Sequence, residues 1–324
     1  MKKFYVVLLA ICLLPTMLLA KSKKNEVTFR LNLKPGMEFT VVSEVNFVFA
    51  TSLQSKWGND DGLITSKQTL FVRCEVLALA DTNYVIGTTL TDCSLLDISN
   101  NATTLLNKDP NGKVLVDQPK VIQNEKKKTE EDFPWVKLLY GQQIKVVVTP
   151  HGKVMKVEGW DELVAGLGEY VDDKSYEELL ASMENADKTK FPSKADPLKY
   201  RSQNLLLEIR TAMQLAFLRG YYPSTPVKVG KGWTLYTPRG ENHSVLTMAS
   251  VEDGHAKITS SVKDSEIDKL NSSSLSIDVE GLYDLQTGLY DSLKRKTLFE
   301  CASNEVEMKM QTKDDASRIV YIKF

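Results

Sequence analysis

Long runs of alternating apolar and polar residues constrain this fold more than any other feature of the sequence. The clearest run covers residues 38–49, where the apolar members share one parity: Phe39, Val41, Val45, Phe47 and Phe49. Residues 72–78, 256–263 and 306–311 repeat the alternation. Because successive side chains of a strand point to opposite faces of a sheet, each run predicts a strand with one apolar face and one solvated face.

Turn residues separate these runs. Four of the separating segments contain a glycine after residues that favour tight turns, at Gly112, Gly152, Gly254 and Gly288. Hairpin turns need a positive φ, which glycine adopts without strain. Residues 79–84 predict a fifth turn. Hairpins that follow one another without intervening helices indicate an antiparallel sheet.

The middle of the chain carries helical patterns instead. Apolar residues recur at helical spacing over residues 160–167 and again over 176–183. We expect a third helix to begin with Asp196 as its N-cap and Pro197 at its first position, and to end at Gly220. This third helix carries a broad apolar stripe: Leu205, Leu206, Ile209, Ala212, Met213, Ala216 and Phe217. A stripe of that width must be covered by another layer.

The first twenty residues have the anatomy of a signal peptide. Lys2 and Lys3 precede an apolar run over residues 4–14, and the small residue Ala20 stands before a lysine-rich stretch. The run is too short to cross a bilayer, which takes about 20 apolar residues. We therefore expect export to the periplasm or outside the cell, with removal of residues 1–20 and no transmembrane span in the mature chain.

The cysteines are expected to have neither a lipid nor a disulfide. Ile11 precedes Cys12 and is not a small residue, which disfavours a lipid anchor at Cys12. Removal of the leader leaves Cys74, Cys93 and Cys301, an odd number that cannot form a closed disulfide framework. A hairpin centred on residues 81–82 would hold Cys74 and Cys93 about three places apart along the ladder, beyond bonding distance.

These observations predict an α+β, mainly β fold. Long strands with one apolar face have to bury that face, and the central helices are the only matching cover. We expect a signal peptide over residues 1–20 and a single antiparallel-sheet domain over 21–324, with a helical insert at about 160–220. The sheet is expected to be long and curved, as a half-barrel packed against about three central helices.

The sequence carries no pattern that indicates catalysis. Its 41 Lys and Arg residues balance 42 Asp and Glu residues, which excludes the basic footprint of a nucleic-acid-binding chain. Nucleophile, phosphate-loop and dinucleotide motifs are missing from the sequence. His243 and His255 can be imagined as a metal site with Glu241 or Asp253, but two surface histidines are the favoured interpretation. We expect no metal, no cofactor and no enzymatic activity.

Four segments together resemble an uncharacterised family of exported β-rich proteins from Gram-negative envelopes, a domain of unknown function. They are residues 31–36 (LNLKPG), 149–161 (TPHGKVMKVEGWD), 222–233 (YPSTPVKVGKGW) and 281–288 (GLYDLQTG). The resemblance covers most of the mature chain in order and implies no catalytic residues. The family's pattern is in turn similar to the lipoprotein-carrier fold, in which a curved sheet wraps helices and can hold acyl chains.

Two functions of different classes remain open. The first is an envelope protein that binds or carries a lipid or another apolar ligand in a groove between sheet and helices. The second is a structural or interaction protein with a packed interior and an envelope protein as partner. The expected groove residues are Phe47, Phe49, Leu205, Ile209, Met213 and Phe217. Flexible Met213 and small Ala212 would leave irregular space for an acyl chain.

Overall fold

A computed structural model describes residues 26–55, 58–105, 120–172, 176–177, 180, 193–201, 203–218, 221–236, 243–267, 271–303 and 308–323. The expected signal peptide and Cys12 lie outside these residues. So do Gly112 and most of the helix expected over 176–183, of which residues 176, 177 and 180 are helical.

Fourteen strands are present in the described part of the chain. The first seven are β1 (Glu26–Val27), β2 (Glu38–Ser55), β3 (Gly58–Ala80), β4 (Asn83–Leu105), β5 (Lys120–Thr129), β6 (Gln143–Val148) and β7 (Val154–Glu158). The remaining seven are β8 (Val227–Lys228), β9 (Gly232–Tyr236), β10 (His243–Glu252), β11 (His255–Ile267), β12 (Asn271–Asp284), β13 (Tyr290–Ser303) and β14 (Met308–Lys323). Strand content far exceeds helix content, as the alternation predicted.

Twelve strands form one antiparallel sheet in the order β7-β6-β4-β3-β2-β14-β13-β12-β11-β10-β9, with β5 paired to β4. The first long strand of the chain, β2, pairs with the last, β14, so the two ends of the chain meet in the centre of the sheet. Strands β1 and β8 form a separate two-stranded sheet. The α+β, mainly β class with a large antiparallel sheet is confirmed.

Three α-helices can be delimited in the described residues: α1 (Trp160–Tyr170), α2 (Ala195–Arg201) and α3 (Gln203–Met213). Short 3₁₀ helices occupy Glu130–Asp132, Pro134–Leu139 and Ala216–Leu218. Helix α3 packs against β3 and β4. The helix predicted over 160–167 is confirmed as α1.

The third predicted helix ends earlier than expected. Helix α3 stops at Met213 rather than near Gly220, and Leu215 adopts a left-handed φ of 52°. The hydroxyl of Thr88 on β4 donates to the carbonyl of Met213 at 2.7 Å, which satisfies a group that a continuing helix would have used. Asp196 lies inside the first turn of α2 and accepts from the amide of Ser193 instead of serving as the N-cap.

The core lies at one end of the long strands. Phe39 and Val41 of β2 lie on the sheet face that the core covers, together with Val72 and Cys74 of β3. All four are nearly or fully buried. The helices contribute Leu205, Ile209, Ala212 and Met213 to the same cluster. We call the side of the sheet that carries Phe39 and Val41 the core face.

The segment over residues 26–33 forms hydrogen bonds to two hairpin turns that lie on opposite sides of the sheet order, β6–β7 and β12–β13. The amide of Leu31 donates to the carbonyl of Pro150, and the amide of Asn32 donates to the carbonyl of Thr287, both at 2.7 Å. Phe29 is fully buried, with its ring centroid 5.0 Å from that of Trp233. Trp233 is half-buried and packs against the core.

Turn predictions agree with the structure wherever it describes them. Gly152, Gly254 and Gly288 all have a positive φ, between 69° and 79°. The fifth turn joins β3 to β4 at Asp81, whose φ is 56°.

Two bulges shift the pairing of β3 with β4 away from the register expected for a hairpin centred on residues 81–82 without bulges. Leu77 and Thr91 are left out of the pairing, so Cys74 faces Thr88 and Cys93 faces Leu70. Cys74 and Cys93 are therefore four places apart along the ladder, about 13 Å. Both thiols are free and buried.

Candidate functional site

The core face continues far beyond the core. Strand β2 reaches ten residues past Phe39 before it arrives at Phe49, about 33 Å of extended chain. Along this stretch the alternation keeps Val45, Phe47 and Phe49 on the core face. Among the described residues, none of these three belongs to the buried core cluster or packs against it. Each is half-buried.

Neighbouring strands add apolar side chains to the same surface. Phe49 faces Ile64 on β3 and Thr312 on β14, and Thr312 in turn faces Phe299 on β13. Phe299 faces Leu275 on β12. The row from Ile64 to Leu275 crosses five strands, about 19 Å at the usual strand spacing.

We call this surface the open patch, and its residues are Val45, Phe47, Phe49, Ile64, Leu275, Ile277 and Phe299. Ile277 packs against the core and joins the patch to it. Ile64 is exposed, and the other six are half-buried. An apolar surface of several strands at the margin of a core is characteristic of a binding surface rather than of scattered exposed residues.

The structure separates the expected groove residues into two groups. Leu205, Ile209 and Met213 are buried in the core cluster, and Phe217 packs against it from the 3₁₀ helix Ala216–Leu218. Phe47 and Phe49 lie in the open patch.

The distance between the groups follows from the register. Met213 contacts Thr88, which is aligned with Cys74 and Phe39 across the sheet. Phe47 lies eight residues further along β2, about 26 Å from that level. Phe47 and Phe49 therefore lie far from Met213. The two sides of the expected groove do not meet there.

The space expected beside Ala212 is filled. Ala212 is 1% exposed and Met213 is 0% exposed, both within the core cluster. Interiors packed at this density leave no channel for an acyl chain beside the helix. The substitution Ala212→Trp would therefore overpack the core and disturb folding rather than block a cavity.

A shallow cavity lies beyond the open patch, where the same strands end. Its volume is about 480 Å³, and it is lined by Ala50, Thr51, Ser52, Ser272, Ser273, Ser274, Glu300, Cys301, Ala302, Lys309, Met310 and Gln311. Glu300 is held in place because the amide of Gln311 donates to it at 2.8 Å. Many of these residues are polar, but the larger part of the surface that lines the cavity is apolar.

The imagined two-histidine metal site is not formed. His243 pairs with Tyr236 on β9, and His255 pairs with Glu252 at the opposite end of β10. Nine residues of strand separate the two positions, about 30 Å. Within the described ranges, no group of three His, Cys, Asp or Glu side chains is arranged to hold a metal ion.

His255 instead forms an ion pair at a strand end. Its Nε2 lies 2.9 Å from a carboxylate oxygen of Asp291, and its Nδ1 lies 2.9 Å from the carbonyl of Asp253. Burial lowers the pKa of His255, but these two hydrogen bonds outweigh it and leave the pKa raised. Burial also raises the pKa of Asp291 despite the histidine, with a further contribution from Asp284.

Buried tyrosines form the other titratable cluster, and they are structural. Tyr222 and Tyr290 are buried, with ring centroids 5.6 Å apart, and burial raises the pKa of both hydroxyls. The hydroxyl of Tyr222 donates to the carbonyl of Gly288, and that of Tyr290 donates to the carbonyl of Tyr221. Both hydroxyls are committed to backbone carbonyls and hold loops to the sheet.

The fold and the open patch define a class of protein: an open antiparallel sheet, half covered by helices, with an apolar surface left on the same side. No family model and no curated protein matches the sequence. Within the part of the chain that the structure describes, no helix has both the length and the apolar character to cross a membrane.

Solved structures with a similar course of strands are distant. A structure of lipovitellin concerned with lipid–protein interactions matches with a TM-score of 0.41 and 6% identity, over 90% of this chain. This chain spans only 26% of the lipovitellin chain. An outer membrane channel from Pseudomonas putida F1 matches with a TM-score of 0.21 and 8% identity, over 91% of this chain and 98% of that one. The translocator domain of the autotransporter NalP from Neisseria meningitidis matches with a TM-score of 0.18 and 4% identity, over 90% of each chain.

Proposed function

We propose that this protein binds or carries an apolar ligand, a lipid or acyl chain, on the open patch and performs no catalysis. The observation that carries the proposal is the placement of half-buried aromatic rings, Phe47, Phe49 and Phe299, on the core face beyond the packed core. Apolar surface gains about 25 cal/mol for each Å² removed from water, so a ligand that covers these rings is stabilised by its contact with them.

The proposal places the ligand on the sheet and not beneath the helices. The long sheet curves as a half-barrel around the ligand. The helices pack on the sheet at the opposite end of the long strands, where the core lies. The chain works in the cell envelope, where its leader directs it and where lipids are the abundant apolar cargo. The resemblance to an exported envelope family belongs to the same proposal.

An apolar fluorescent probe tests this proposal. N-phenyl-1-naphthylamine should bind to the mature protein with saturation and a rise in fluorescence. Phe49→Glu should weaken this binding about tenfold or more, because it places a charge among apolar groups. Val48→Glu is the matched control, since Val48 is the adjacent half-buried residue on the opposite face of β2, and it should leave probe binding unchanged.

The alternative function predicts a different result. If the open patch instead docks a protein partner, the purified chain will still expose these rings to the probe, but a lipid such as monopalmitoylglycerol will not displace the bound probe. Equal effects of Phe49→Glu and Val48→Glu would also contradict a ligand site on the core face.

A further inference from the structure

A line of unpaired polar atoms lies where the packed core gives way to the open patch. Ser43 Oγ, Gln68 Oε1 and Asp97 Oδ1 are buried and have no hydrogen-bond partner among the described residues. Ser43 is 1% exposed and Gln68 is 9% exposed. Asp97 is half-buried as a residue, with this one carboxylate oxygen shielded from solvent.

The register places these three side chains on one face and on one diagonal. Ser43 of β2 faces Leu70 of β3, and Gln68 lies two residues from Leu70 on the same face. Gln68 faces Leu95 of β4, and Asp97 lies two residues beyond Leu95. Diagonal neighbours on adjacent strands are about 7–8 Å apart, so Gln68 is close to both other side chains, whereas Ser43 and Asp97 are about 16 Å apart.

The position of the diagonal relates it to the patch. Val45 is the direct cross-strand neighbour of Gln68, and Phe47 is two residues further on the same face. Ser66 of β3 lies between Phe47 and Asp97 and faces both of them across the sheet. The polar line therefore borders the apolar patch along the side that faces the core.

Leaving these oxygens unpaired is costly to the fold. A buried polar group without a partner destabilises a protein by about 1–3 kcal/mol, and native proteins retain few of them. Gln68 Oε1 and Asp97 Oδ1 can only accept hydrogen bonds, and Ser43 Oγ can accept as well as donate. All three unpaired oxygens can therefore accept a hydrogen bond from a donor.

We propose that the ligand of the open patch is an amphiphile whose head group donates hydrogen bonds to Gln68 and Asp97, the two neighbouring members of the line that lie beside the patch. The head group carries a primary amine or hydroxyls, and its apolar chain lies over Phe47 and Phe49. A carboxylate head offers acceptors only and meets the like charge of Asp97, so a fatty-acid anion fits poorly. This inference rests on the proposed function and adds the class of head group.

Competition against the bound apolar probe tests the head group. Hexadecylamine, monopalmitoylglycerol and palmitate have matched chains and differ in their heads, and each is added below its micelle concentration. The amine and the glyceride should displace N-phenyl-1-naphthylamine at concentrations about tenfold lower than palmitate, the ratio that one buried hydrogen bond supplies. Monopalmitoylglycerol is uncharged, so displacement by it reports hydrogen bonding without charge attraction. Comparison of hexadecylamine with monopalmitoylglycerol shows whether an amine or a hydroxyl head is preferred.

Variants locate the effect. Gln68→Leu and Ser43→Ala should raise the urea midpoint of the ligand-free protein, because each removes an unpaired buried oxygen, and Gln68→Leu should also abolish the preference for donor heads. Thr69→Leu, on the opposite face of β3, is the control and should keep the preference. Equal displacement by all three amphiphiles in the native protein, or a preference that survives in Gln68→Leu, would overturn the head-group assignment while the carrier function stands. Absence of saturable probe binding would overturn both.

Discussion

Gly288 lies where the segment over residues 26–33 crosses the turn between β12 and β13. It has a φ of +74°, and a Cβ there would approach the carbonyl oxygen of Arg30 to 1.9 Å. Gly288→Ala should therefore cost about 2–5 kcal/mol, from left-handed backbone strain and from overpacking against the backbone. Urea denaturation measures this loss.

Gly254 provides the matched control for that substitution. Its φ is +79°, and no atom lies within 4 Å of the Cβ position. Gly254→Ala should cost only the backbone strain, about 1–2 kcal/mol. Similar losses in the two variants would show that the crossing segment is not packed as closely as described.

The His255–Asp291 pair predicts a pH dependence of stability. Because the pKa of His255 is raised in the folded protein, the pair contributes fully below the unfolded value, about 6.5, and its contribution is lost as the pH rises through the folded value. The urea midpoint should fall between pH 6 and pH 8.5. This fall should be smaller in His255→Asn and in Asp291→Asn, and an unchanged slope in both variants would contradict the assignment.

At the scale of elements, helix α3 is fixed on the sheet by a buried hydrogen bond. The hydroxyl of Thr88 donates to the carbonyl of Met213, and both residues are 0% exposed. Thr88→Val preserves the shape but leaves the carbonyl unpaired, and should cost about 1–3 kcal/mol in urea denaturation.

A second threonine on β4 serves as the control. The hydroxyl of Thr91 donates to the carbonyl of Phe71 at 3.0 Å in an exposed position. Thr91→Val should cost about 0.5 kcal/mol or less, because water replaces the lost donor. A Thr88→Val loss as small as this would mean that α3 is held by apolar packing alone.

Local sequence patterns predicted which turns, strands and helices form. They did not predict equally well where a helix ends or which residues of two strands face each other. Hairpin turns at Gly152, Gly254 and Gly288 were predictable because turn chemistry is determined within a few residues. The end of α3 was not, since the donor that terminates it, Thr88, is distant in the sequence. The bulges at Leu77 and Thr91 also changed the register without a sequence signal.

The residues of the candidate site were also only partly predictable from the sequence. Phe47 and Phe49 were predictable from the alternation in β2, whereas Ile64, Leu275 and Phe299 were missed. Ile64 joins the patch through the pairing of β2 with β3, whereas Leu275 and Phe299 join it only through the pairing of β2 with β14, strands from opposite ends of the chain. The helical residues were expected beside the aromatic ones because both faces are apolar, but apolar character does not determine which part of a long strand a helix covers.

At the scale of the whole molecule, the sheet divides into a packed end and an open end. Helices and the segment over residues 26–33 cover the end that holds Phe39, and the open patch lies about 20–33 Å further along β2. A packed end gives the strands a fixed register, because a slip by one residue would turn the apolar face outward. The open end then presents an apolar surface on a rigid frame.

Photo-crosslinking tests most directly whether this open end holds the ligand. A monoacylglycerol with a diazirine in its acyl chain is bound to the mature protein and irradiated, and the labelled peptides are identified by mass spectrometry. The account predicts labels on the strand segments 45–49, 275–277 and 299, which excess unlabelled monoacylglycerol suppresses. Labels concentrated on α3 around Leu205 and Met213, or labels that the competitor does not suppress, would contradict it.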